Sequence, residues 1–401
     1  VLGKGLEEFE APVVEPVVET PETPEDVVAG LDDADEAQAH YVGEVEELNE
    51  AEVALEQYLD VITQANRTGY GLSPDAVKLL GLGLEHWERK FPMPDLGLED
   101  FPVTASSAQG ADNAEKGIGA RLRKLWDMIK KAWAAVKEAA IAYYRKIVAG
   151  VNNASKRAEE LLGKVNSTPN KADAASFDVK SPQFLFVGAT FVGQDLGVLP
   201  DIAKWAFVDY PKAVEDYYTG FATLVRRLTP EDDLEHFQAE LGKLKVPAGA
   251  PTETSGDKLV IKLRKGVPGN LQFVLNKSPM KLFIEPNVQR MGAPDSVTVK
   301  PESIQKIKAR VEEVVKCLAA GVQSDPAMKG VSTALTSLTT TVESYGKKAF
   351  DTDVVPKAVM RSAQEVQGLG SSDHNKLMAY TVKVAMAQLA LLEHELSAHT
   401  A

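Results

Sequence analysis

The chain has 401 residues, a net charge of −14, 44% hydrophobic residues and a single cysteine. That apolar content supports a real core and excludes a wholly disordered protein. One thiol excludes an internal disulfide and fits a reducing compartment. No apolar run has the length needed to span a bilayer.

The charge is unevenly spread. Residues 1–115 hold 27 Asp+Glu against 5 Lys+Arg, a net of −22, and residues 116–401 hold 31 against 39, a net of +8. The sign flips near Lys116, as expected for an acidic appendage on a basic body.

Residues 1–40 read as a disordered, acidic, Pro-rich tail. Its "APVVEPVVETPETPEDV" combines repeated prolines, which forbid helix, with acids that repel one another. The opening "VLGKGLEEFE" has no basic start and no apolar stretch behind it, so no signal peptide is expected. Residues 41–101 read as a helical acidic module. In 41–65, Val45, Leu48, Val53, Leu55, Leu59 and Ile62 approximate one helical face. A second helix is predicted from Ser73, a cap, and Pro74 at the first helical position, with Val77, Leu79, Leu80, Leu82, Leu84 and Trp87 as its apolar surface. The two form a helical hairpin. Residues 102–117, small and polar, are an exposed linker of the kind proteases reach.

A basic helical body is expected over 118–256. Leu122, Trp126, Ile129, Trp133, Val136, Ala140, Tyr143 and Ile147 are spaced alternately by four and three, which makes one stripe on a helix. Arg121, Arg123, Lys124, Lys130, Lys131 and Lys137 accompany that stripe. Gly150 and the Asn152–Asn153 pair are expected to break it, and a second basic helix follows in "ASKRAEELLGKV". Residues 176–228 are mixed, with a short strand or turn before helices. "PEDDLEHFQAELGKL" begins with Pro230 and acids, as a helix N-terminus favours.

Over 257–300 the period changes to two. "KLVIKLR", "LQFVL", "KLFIE" and "SVTVK" predict four strands of a small antiparallel sheet. Residues 301–401 return to helix, with Ser372 and Asp373 as start signals for the last one. The fold class read from this order is α+β, predominantly α.

Catalytic motifs are weak. His394 and His399 are five apart, one too many for a zinc-binding pair on one helical face, and read as exposed polar residues. Gly163–Lys164 lacks the upstream glycine of a phosphate loop, and no G-x-S-x-G occurs. Cys317 follows Val311, Val314 and Val315 and reads as a core thiol. No carboxylate pair stands out from a solvated surface. No catalytic residue, metal site or cofactor is expected.

Three roles fit the cationic helix. It can pack its stripe against the second basic helix and the C-terminal helices. It can lie in a membrane interface, with Trp126, Trp133, Tyr143 and Tyr144 at headgroup level. Its lysines can also meet a phosphate backbone, with salt-sensitive, sequence-blind binding. A helix packed by its stripe can still offer its lysines to DNA.

The order of parts resembles internal head proteins of large tailed bacteriophages. "ALEQYLDVITQANRTGYGLSPDAVKLLGLGLEHWERKF" with "PMPDLGLEDF" is similar to their acidic helical propeptide. "LRKLWDMIKKAWAAVKEAA" is similar to the basic, Trp-containing helix that follows it. The resemblance covers roughly Glu44 to Val148. It implies a non-enzymatic virion protein packed inside the capsid, with head and scaffold proteins, a prohead protease and packaged DNA as partners. A membrane-active helical protein using 118–148 is the alternative. The family's protease cuts after Glu, typically with a small or aliphatic residue two positions earlier. The charge break and linker context favour Ala114–Glu115–Lys116, although Asn113 departs from that preference. Ala34–Asp35–Glu36, Ala54–Leu55–Glu56 and Ala363–Gln364–Glu365 also carry Ala-x-Glu.

Overall fold

The computed structural model describes residues 73–90 and 145–400, except 172–173, 230–231, 279, 288–292, 323–324, 348–353 and 371, together with positions 51, 54, 57, 58 and 61. The chain divides into two compact units, one of Glu36–Ala142 and one built around Tyr143–Ala401.

In the first unit the clearest element is helix α1, Pro74–Lys90. The Ser73 hydroxyl accepts from the Ala76 N–H at 3.2 Å, so Ser73 caps the helix. Leu80, Leu84 and Trp87 are buried, whereas Leu79 and Leu82 face outward. Part of the apolar surface read from the sequence, Leu79 and Leu82, is therefore not used inside this unit. A Cβ on Gly83 would fall 2.1 Å from the Tyr58 hydroxyl. The glycine lets helical residue 58 cross close to α1, as in a helical hairpin.

The second unit begins with a helix over 145–167, α2. Ile147, Val151, Ala154, Ala158, Leu161 and Val165 are buried along it. The helix runs straight through Gly150, Asn152 and Asn153, so the expected break there is corrected. Glycine in a helix costs about 1 kcal/mol relative to alanine. Burial of six apolar side chains on one stripe outweighs that, at about 25 cal/mol per Å². Arg157 adds a forked contact to Glu393, with Nε donating at 2.7 Å.

Strands β1 (Phe177–Lys180), β2 (Phe186–Val187) and β3 (Thr190–Phe191) follow. Helix α3, Val198–Lys204, passes through a π-helical turn, Trp205–Asp209, into α4, Tyr210–Arg227. Helix α5, Leu234–Gly242, is capped by Asp233, whose carboxylate accepts from the His236 N–H at 2.8 Å. Strands β4 (Thr252–Ser255), β5 (Lys258–Ile261), β6 (Leu271–Lys277) and β7 (Met280–Pro286) form one antiparallel sheet in chain order. Strand β8, Ser296–Val299, pairs instead with β1, Phe177 opposite Val299.

The four-strand expectation for 257–300 is thus corrected at both ends. Period two locates a strand but says nothing about its partner. Strand β4 is polar and exposed throughout, so no alternation announced it. It is joined to β5 by a tight turn in which Gly256 holds φ +60°.

Helices α6 (Ile304–Val322), α7 (Asp325–Lys347), α8 (Val354–Val366) and α9 (Ser372–Thr400) complete the unit. Helix α4 lies along α7, and α9 packs on α6, α3 and β7. Helix α9 is buried on nearly every side from Leu377 to Leu392. A helix apolar all round belongs inside a core, and α9 is the axis around which the other layers assemble. The fold is α+β and predominantly α. Among the described residues no helix is long and apolar enough to cross a membrane.

Candidate functional site

The residues singled out for cleavage and for DNA or lipid contact lie outside the described residues: Ala114, Glu115, Lys116, Arg121, Arg123, Lys124, Trp126, Lys130, Lys131, Trp133 and Lys137. The helix downstream of them is informative. Ile147, the last residue of the predicted stripe, is fully buried, and the period of four and three resumes from Val151 to Val165. The described end of this stripe serves the core.

The body beyond it carries almost no net charge. Residues 116–150 hold nine Lys+Arg and two Asp+Glu, whereas 151–401 hold thirty and twenty-nine. The positive character of the chain is therefore concentrated in 116–150. Surface bases of the body sit beside acids: Lys204 by Asp209, Lys212 by Glu215 and Asp216, Lys258 by Glu285, Lys262 by Glu253, Lys265 by Asp195. Exposed pairs of this kind add little to stability. Their consequence is electrostatic, because they cancel the field a polyanion would feel.

Of the other Ala-x-Glu matches, Ala363–Gln364–Glu365 lies inside α8. Ala363 is buried and Glu365 pairs with Arg361. Proteases bind extended backbone, so this bond is protected while the helix stands.

Polar chemistry that the sequence did not reveal lies in two buried clusters. In the first, Arg310 of α6 and Glu395 of α9 form an ion pair with side chains 5% and 0% exposed. Arg310 Nη2 donates to the Gly193 carbonyl at 2.7 Å, and its Nη1 lies 3.5 Å from Glu302. Gln194 Nε2 donates to the other Glu395 oxygen and to the Lys300 carbonyl. His399 accepts from the Lys171 N–H at Nδ1 and donates from Nε2 to the Glu302 carbonyl at 2.8 Å. His399 is buried, so its reading as an exposed residue is corrected. One turn earlier His394 stays exposed and stacks on Phe177.

In the second cluster Asp373 and His374 head helix α9, both 1% exposed. Tyr210 and Tyr218 close over the same region. Tyr210 donates to the Leu369 carbonyl and Tyr218 to the Val366 carbonyl. Burial raises both phenols far above the ordinary tyrosine range. These are satisfied, dry hydrogen bonds that hold the α8–α9 corner against α4.

Cys317 is buried, as read from the sequence. Burial first, and the neighbouring Glu313 second, push its thiol up to about 12. The thiolate is the reactive form. The native protein is expected to resist iodoacetamide at pH 8 and to be alkylated once unfolded in urea, as intact mass would report.

Among the described residues no group of three or more His, Cys, Asp or Glu is placed to hold a metal ion. No curated protein and no solved structure matches the chain. A family model described as phiKZ-like phage internal head proteins matches residues 22–394. That match takes in most of the chain, and the chain belongs to this family, which places it inside the phage head.

Proposed function

We propose, from that membership, that the protein is a non-enzymatic head component whose acidic leader is removed during head maturation. Cleavage at or near Glu115 then frees the cationic segment 116–150 to contact packaged DNA. The charge partition carries this reading. A leader of net −22 precedes a segment of net +7, and the rest of the chain is close to neutral. While attached, the leader competes with phosphate for the same lysines and arginines. Once it is gone, the segment remains tethered to a body that offers DNA little attraction of its own.

Two measurements test the reading. Mass spectrometry of protein extracted from purified particles is expected to find a chain starting near Lys116, and a full-abundance leader would overturn the processing step. Residues 116–401 are expected to bind duplex DNA more tightly than the full chain. With about five phosphates neutralised, affinity should fall roughly 500-fold between 50 and 200 mM salt. Equal affinity of the two forms would remove the leader's masking role. Retention on anionic vesicles at high salt, with no DNA binding, would favour the membrane-interface reading of the same helix.

A further inference from the structure

Asp373 and His374 are consecutive, and each fastens a different layer to the head of helix α9. Asp373 Oδ2 accepts from the Leu282 N–H of β7 at 2.8 Å. His374 Nε2 meets the Ala206 carbonyl of the π-helical turn at 3.0 Å. A carbonyl only accepts, so the ring carries its proton on Nε2. The second polar atom of each residue, Asp373 Oδ1 and His374 Nδ1, is buried without a hydrogen bond. Neither residue is used in the reading above.

The surroundings fix what acid does to each. Asp373 is faced by Lys376 on its own helix, with Nζ 3.7 Å from Oδ1, by Lys281 on β7, and by Tyr210 and Tyr218 on α4. His374 lies against the Tyr210 ring, with centroids 6.3 Å apart and planes 4° from parallel. A proton on Asp373 removes a buried negative charge. A proton on His374 creates a buried positive one, and the new Nδ1–H meets no acceptor.

We propose that Asp373 and His374 form a pH-compensating latch at the head of α9, in which acid removes one buried charge and creates another. Burial lifts the Asp373 carboxyl to about 6, against the lowering effects of Lys376, the Leu282 N–H and Lys281. Burial also lowers His374 to about 4, opposed by its bond to Ala206. The signs follow from linkage. The Asp373 contribution is fully present below its ordinary 3.8 and is lost as pH rises through about 6. The His374 contribution is present above its ordinary 6.5 and is lost as pH falls through about 4. The two windows overlap almost completely, so the losses and gains offset.

The latch does not depend on the function proposed above. Its use rests on the reading above, because a protein packed beside DNA sits in a counterion atmosphere that concentrates protons as it does other cations. A body whose core is insensitive to mild acid keeps its fold there.

The test is thermal unfolding of the full chain at pH 7 and pH 4, on either side of its pI near 5.1. Relative to wild type, Asp373→Asn is expected to lose about 5 °C of melting temperature on going to pH 4. His374→Gln, which keeps a donor for Ala206, is expected to gain about as much. The double variant should follow the wild-type profile. Single variants that both follow wild type, or that both move in one direction, would overturn the latch. An NMR titration of the unmodified protein gives a second readout free of folding defects. The His374 ring should stay neutral to about pH 4, and a midpoint in the ordinary histidine range would equally overturn it. Both outcomes are independent of whether the leader is cleaved or DNA is bound.

Discussion

Arg310→Met is expected to lower the stability of the folded body by about 3–5 kcal/mol, the usual cost of leaving a buried charge without its partner. Glu395 is fully buried, and among the described residues Arg310 is the cation that pairs with it. Gln194 would still donate to one carboxylate oxygen, but a neutral amide cannot replace a guanidinium. The Gly193 carbonyl would also lose its donor. Typical domains are stable by 5–15 kcal/mol, so a loss of this size removes a large part of the reserve. Urea unfolding followed by circular dichroism measures it. Replacing both partners, Arg310→Met with Glu395→Met, should recover much of the loss, because apolar substitutes of similar volume satisfy such a site without desolvating charge. A double variant as unstable as the sum of its two single variants would show that the pair is not coupled.

The amino-acid sequence carries only one side of this pair. Arg310 falls three residues after Ile307 and four before Val314, both buried, so helical spacing alone puts it on the core face of α6. What spacing cannot supply is the partner, 85 residues away on α9. The same limit explains β8. Its alternation was legible, but the choice of β1 over the neighbouring sheet depends on chain segments more than 100 residues apart. Local signals fared better. The cap at Ser73, the burial of Cys317 and the predominance of helix were all legible from residues within one or two turns of one another. Asp373 was legible as a helix start yet bonds to β7, because a carboxylate at a helix N-terminus can accept from any N–H that tertiary packing brings to it. The break expected at Gly150 failed for the converse reason: propensity is a weak prior, and burial on both sides of the glycine overrode it.

Gly249→Ala is expected to cost about 3 kcal/mol, and its comparison with Gly256→Ala isolates the cause. Both glycines hold positive φ, +65° and +60°. An L residue in that region costs about 1–2 kcal/mol by sterics alone. At Gly256 nothing lies within 4 Å of an added Cβ, so backbone strain is the whole effect. At Gly249 the Cβ would sit 2.7 Å from the Tyr210 nitrogen and 2.8 Å from the Asp209 carbonyl carbon and oxygen. These are backbone atoms at the end of the π-helical turn, and they cannot swing aside as a flexible side chain can. The loop must lift, which strains the bond from Trp205 Nε1 to the Ala248 carbonyl, 2.8 Å long and buried. Trp205 packs on Phe273 with centroids 4.6 Å apart, so the disturbance reaches the face of the β4–β7 sheet. Overpacking of this kind adds about 1–3 kcal/mol to the strain. Denaturant midpoints should therefore fall clearly further for Gly249→Ala than for Gly256→Ala, with a loss of tryptophan fluorescence anisotropy in the first alone. Equal losses at the two positions would mean that the loop yields freely and that its close approach to the π-helical turn contributes nothing to the fold.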